Sequence, residues 1–197
     1  MLRTTTTALI ATTALGLGLL AMPPAHAADP TVEALDATGD VRILHPRDDT
    51  ITTAGRRSID IREVTITPRG DRTVRVSVAI KEALPGADFD QMVFLDIEPV
   101  VSSTEGWVSA AIGWSPQRPR KWGYASLELD GEDYRNCTPE RIRTDVDADT
   151  LAADIPYRCV PSGPARIRVS TLTGSFRSDA DVHSRDVLRI RGPHSLR

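Results

Sequence analysis

Ser58-Ile59-Asp60-Ile61-Arg62-Glu63-Val64-Thr65-Ile66-Thr67-Pro68-Arg69-Gly70-Asp71-Arg72-Thr73-Val74-Arg75-Val76-Ser77-Val78-Ala79-Ile80 carries the pattern that decides the fold. Val74, Val76, Val78 and Ile80 put four branched residues on one face, with Arg75, Ser77 and Ala79 on the other. Alternation of period two marks a strand buried on one side. Upstream, Ile59 and Ile61 share one phase and Val64 and Ile66 the other, so the slip at Arg62-Glu63 predicts a β-bulge. Pro68-Arg69-Gly70-Asp71 supplies a turn, which makes the unit a hairpin of residues 58–67 with 72–81.

The same pattern recurs along the chain. Gln91 to Glu98 is a denser apolar run, expected to be covered on both faces. Trp107 to Trp114 and Lys121 to Leu129 pair across Ser115-Pro116-Gln117-Arg118-Pro119. Ile142, Thr144 and Val146 answer Leu151, Ala153 and Ile155 across Asp147-Ala148-Asp149. Ile167, Val169 and Thr171 make a late strand, and Val187 to Ile190 a short last one at a sheet edge. No stretch sustains helical periodicity. Evenly spaced strands with Pro and Gly between them predict an all-β fold: an antiparallel β-sandwich, immunoglobulin-like or jelly-roll.

Residues 1–27 read as a secretory signal peptide. Arg3 is the positive start, Ala8 to Ala21 the apolar stretch, Pro23-Pro24 the break, and Ala25-His26-Ala27 the cleavage site. The apolar stretch is too short to span a bilayer, so no membrane anchor is expected. Residues 28–197 form the mature chain, read as a single domain with an irregular lead-in over 28–40. Loss of Arg3 moves the formal charge from −3 to −4, with 23 basic against 27 acidic residues. That spread, mildly acidic balance argues against a nucleic-acid partner. Among basic residues only Lys81 and Lys121 are lysines, a bias associated with GC-rich bacterial genomes.

Cys137 and Cys159 are the only cysteines. In an oxidising compartment, two cysteines predict one disulfide. A metal pair lacks a histidine nearby in sequence, because His45, His183 and His194 are scattered.

Three pieces carry a resemblance. Asp36-Ala37-Thr38-Gly39-Asp40-Val41 opens the mature chain, and Ser58 to Val64 leads into Val74 to Val78. Cys137, a hairpin, Ile155 to Val160 and Arg166 to Val169 follow. The set resembles a diffuse group of uncharacterised secreted proteins of actinobacteria, in which a GDV … DI opening precedes a two-cysteine β-sandwich. The resemblance spans most of residues 36–172 and implies fold and location, with no activity attached.

Two constellations are candidates for binding. Trp107 to Tyr124 gathers all three tryptophans with Arg118, Arg120 and Lys121. Aromatic faces stack on sugar rings and arginines take hydroxyls or anions, so Trp114 and Trp122 are stacking candidates, assisted by Tyr124, Arg118 and Arg120. The competing reading puts the tryptophans in the core. Asp36, Asp40 and Asp60 are candidate calcium ligands, with Gly39 allowing a tight loop; solvated loop aspartates are the alternative, and no other cofactor is indicated. Asp145-Val146-Asp147-Ala148-Asp149 imitates half an EF-hand but has Thr150 and Pro156 where Gly and Glu are required, so it is read as a hairpin turn.

The chain has no G-x-S-x-G, no H-E-x-x-H and no phosphate-binding glycine loop. The expectation is a secreted, non-catalytic binding or envelope-associated module for an extracellular polysaccharide or cell-wall polymer. The alternatives are a structural or protein-interaction domain that uses an exposed strand edge, and a carboxylate-dependent hydrolase, which needs acids converging in a cleft.

Overall fold

A computed structural model describes residues 31–45, 50–100, 107–115, 123–129, 139–160, 163–175 and 181–196. The order is β1 (Val32–Leu35), β2 (Arg42–Ile43), α1 (Thr53–Arg56), β3 (Ile61–Arg69), β4 (Thr73–Ile80), β5 (Asp90–Pro99), β6 (Trp107–Trp114), β7 (Gly123–Leu129), β8 (Arg141–Asp145), β9 (Thr150–Pro156), a 3-10 turn (Tyr157–Cys159), β10 (Ala165–Ser175) and β11 (Asp181–His194). The strands form two sheets, ordered β1-β3-β4-β9-β8 and β2-β11-β10-β5-β6-β7, with every pairing antiparallel. Among the described residues, no helix is long and apolar enough to cross a membrane. Residues 1–27, expected to be a signal peptide, lie outside them.

The decisive hairpin forms as its pattern dictates. β3 pairs with β4, Val64 opposite Val78 and Ile66 opposite Val76, and the register shifts between Ile61 and Glu63. The extra residue is Arg62, which moves Ile61 and Val64 to the same buried face despite their odd spacing. Gly70 turns the chain with φ +63°, a region glycine enters without steric cost. Inward residues of both sheets, such as Ile66, Val76 and Ile155 from one and Leu95, Ile112 and Val169 from the other, belong to a single core cluster.

Two expectations fail. The lead-in 28–40 is not irregular throughout, because Val32–Leu35 pairs with Leu35 opposite Glu63 and Val32 opposite Ile66. Four residues with one buried apolar position are too short for periodicity to reveal; β3 recruits them. The last strand is neither short nor at an edge. β11 runs from Asp181 to His194 and lies between β2 and β10. Only its 188–190 part alternates cleanly, since Asp186, Ser184 and His183 replace apolar residues at its other buried positions.

Candidate functional site

The site begins where β1 ends. The Asp36 N–H still donates to the Arg62 carbonyl at 3.1 Å, and the chain then crosses to β2 through Ala37 to Val41. Asp36 Oδ1 accepts the Ala37 N–H at 2.9 Å, which tightens the turn. Gly39 has φ +88°, and its N–H donates to both carboxylate oxygens of Asp60, at 2.9 and 3.1 Å. Arg62 adds an ion pair to Asp60 Oδ2 at 3.3 Å. Asp60 therefore anchors the loop.

Asp186 enters from the other sheet. Its Oδ2 accepts the Ile61 N–H at 2.7 Å and its Oδ1 the Val187 N–H at 2.8 Å. Carboxylate oxygens of Asp36, Asp40 and Asp186 lie within 4.8 Å of one another. Of the expected trio, Asp36 and Asp40 lie in this group, whereas Asp60 is engaged by backbone and arginine, and Asp186 is the third member. Asp186 did carry a signal, since an acid sits in phase with buried Leu188 and Ile190.

Clustered carboxylates repel, and burial removes the water that would screen them. Burial, chiefly, and then the Asp40 and Asp36 charges raise the Asp186 carboxyl to about 6, against the lowering effect of its two N–H donors. Asp36 is also raised, first by burial, opposed by the Ala37 N–H, with Asp40 and Asp60 adding repulsion. Asp36 Oδ2 is buried with no hydrogen-bond partner. A proton relieves this strain, as would a hard cation. Asp36, Asp40 and Asp186 could each offer an oxygen to calcium, which needs six to eight.

These acids border a pocket of about 960 Å³ that runs along β11 and opens between it and β1. Arg42, Arg185, Arg189 and Arg191 line it as exposed cations, and Arg168 lines it while paired with Asp96 at 2.7 Å. Among the described residues, Arg42, Arg189 and Arg191 carry no ion pair. A wall of guanidinium groups fits carboxylate, sulfate or phosphate through paired N–H donors. The neighbouring carboxylates can accept from hydroxyls.

Of the aromatic candidates, only the Trp114 side chain lies among the described residues. Trp114 is 0 % exposed and belongs to the core cluster, so its ring cannot stack on a sugar. Burial of its large apolar surface between the sheets outweighs the cost of its unpartnered Nε1. Tyr124 sits on β7 opposite Gly113. Trp122, Arg118 and Arg120 lie outside the described residues, as does Cys137, while Cys159 is buried on the 3-10 turn after β9. Comparisons with protein-family models, with curated proteins and with solved structures found no match for this chain.

Proposed function

We propose that the protein is a secreted, non-catalytic binding domain for an anionic extracellular glycan or cell-wall polymer, held in the pocket along β11. The carrying observation is the polar lining: unpaired Arg42, Arg189 and Arg191 face a bank of aspartates. Small-molecule and cofactor pockets of this size are mostly apolar. A charged, open one suits a hydroxyl-rich polymer that bears acidic groups. The proposed architecture is a β-sandwich closed by a Cys137–Cys159 disulfide. The single core shared by both sheets supports it, as does Cys159, which is buried and not a free thiol.

Co-sedimentation with insoluble polysaccharides and bacterial cell wall tests this reading. Saturable pelleting with an acidic polymer is expected, weakening as salt rises. Arg42→Glu with Arg189→Glu should reduce it at least about tenfold, since charge-assisted arginine contacts are the strong ones. Pelleting that is confined to neutral polymers, or unchanged in the double variant, overturns it.

A hydrolase is the second reading, favoured by the convergence of Asp36, Asp40 and Asp186 and by the raised Asp186 carboxyl. Against it, both Asp186 oxygens are engaged by backbone N–H groups and the residue is 3 % exposed. New reducing ends from a pelleted polymer, abolished by Asp40→Asn, would move the assignment to an enzyme.

A further inference from the structure

β11 is long, and little of its outer edge is covered. Only Ser184 and Arg185 pair with β2, opposite Ile43 and Arg42, although β11 continues to His194. The Leu44 N–H donates to the His183 carbonyl at 2.9 Å, so the main-chain groups of odd-numbered β11 residues point to the β2 side. Val187 aims its N–H there and gives it to Asp186 Oδ1 at 2.8 Å. Arg189 and Arg191 follow in the same orientation, and among the described residues no strand pairs with them on that side. Gly192, with φ +82°, and Pro193, which has no N–H, end the open stretch.

The pocket runs along this edge, and its far wall is β1, the edge strand of the other sheet. Leu35 on that wall is 79 % exposed. Arg185, Arg189 and Arg191 face outward from β11, while Leu188 and Ile190 face the core. Asp96, Arg168 and Arg189 form one row across the outer face, on β5, β10 and β11. Asp96 pairs with Arg168 at 2.7 Å, and among the described residues Arg189 is left as an uncompensated cation at the open edge.

We propose that this groove takes an extended acidic segment of a partner polypeptide, added as a strand beside β11 where β2 stops. A free edge of alternating N–H and C=O groups is matched by another peptide chain. An acid opposite Arg189 completes the charge row, and the residues on either side of that acid point inward, where Leu188, Ile190 and Leu35 border the groove. The segment therefore alternates acidic and apolar residues. A second copy of β11 would set arginine against arginine, which is unfavourable. The inference goes beyond the polymer reading, because it uses the main chain of β11. Both ligands need Arg42 and Arg189, so each excludes the other.

Amide hydrogen exchange of the full mature chain, with a short acetylated and amidated peptide alternating Glu and Val, tests the proposal. Saturable slowing of the Arg189 and Arg191 amides by at least about tenfold is expected. The same peptide with Lys for Glu should leave them unchanged. Arg189→Glu alters an exposed side chain, and it should reverse the preference from the Glu peptide to the Lys peptide. The Glu peptide should also release the protein from a pelleted acidic polymer. No slowing by the Glu peptide, equal slowing by the Lys peptide, or the same slowing by an acidic polysaccharide or by self-association alone overturns it. Pelleting with an acidic polymer but no response to the peptide removes this inference and leaves the polymer reading. Slowing by the Glu peptide without any pelleting does the reverse.

Discussion

Asp186 on β11 accepts the backbone N–H of Ile61 on β3 at 2.7 Å, so one carboxylate joins the two sheets. The bond occurs at the bulge, where the ladder leaves an N–H without its regular partner. It also brings a charge into the cluster with Asp36 and Asp40. Sheet-to-sheet docking and site assembly therefore depend on the same side chain.

This linkage predicts a pH dependence. The Asp186 carboxyl is raised from 3.8 to about 6 on folding, so the native state binds its proton more tightly than the unfolded chain. The resulting stability is fully present below 3.8 and is lost as pH rises through about 6. A gain on the order of 1 kcal/mol between pH 7.5 and 5, allowing for partial screening, corresponds to a Tm rise of about 2–4 °C. Asp186→Asn should flatten that rise and lower stability overall, because an amide has one acceptor for two N–H donors. Thermal melts across this range check both outcomes.

Arg75 and Asp154 form a bidentate pair between β4 and β9, with Nε–Oδ1 at 2.7 Å and Nη2–Oδ2 at 2.9 Å. Both side chains are largely buried. Asp154→Ala leaves a guanidinium without its partner and should cost about 2–3 kcal/mol in urea unfolding. Arg75→Met with Asp154→Leu should recover most of the loss, since no buried charge remains.

Gln91 is fully buried at the start of β5 and satisfies three groups. Its Oε1 accepts the Leu84 N–H at 2.7 Å, and its Nε2 donates to Ser58 Oγ and the Glu82 carbonyl, each at 2.8 Å. Gln91→Leu keeps the volume but strands those partners, and about 2–4 kcal/mol of destabilisation is expected. Denaturant melts would show it as a lower midpoint with an unchanged slope.

The proposed disulfide closes a loop that should contribute roughly 3 kcal/mol by the chain-entropy relation. Intact mass under non-reducing conditions should fall by about 2 Da relative to the reduced chain, and reduction should lower Tm. A mass showing two free thiols would remove the crosslink.

Local chemistry made much of the architecture legible. The β3–β4 hairpin, its bulge at Arg62 and the β8–β9 turn follow from alternation and turn residues, because each strand faces the core on one side and water on the other. Trp114 could not be assigned in that way: an aromatic beside a proline-rich connection suits a binding face or a core equally. It is completely buried, in a core cluster drawn from both sheets.

The sequence by itself determined that the chain is built of antiparallel strands, since side-chain period and turn chemistry act over a few residues. Only the tertiary structure decided which polar groups meet. Asp186 joins Asp36 and Asp40, and His183 joins His45, because β11 is laid beside β2 and docked against β3. Those contacts join residues more than a hundred positions apart, where periodicity carries no information and the packing of two sheets sets the geometry.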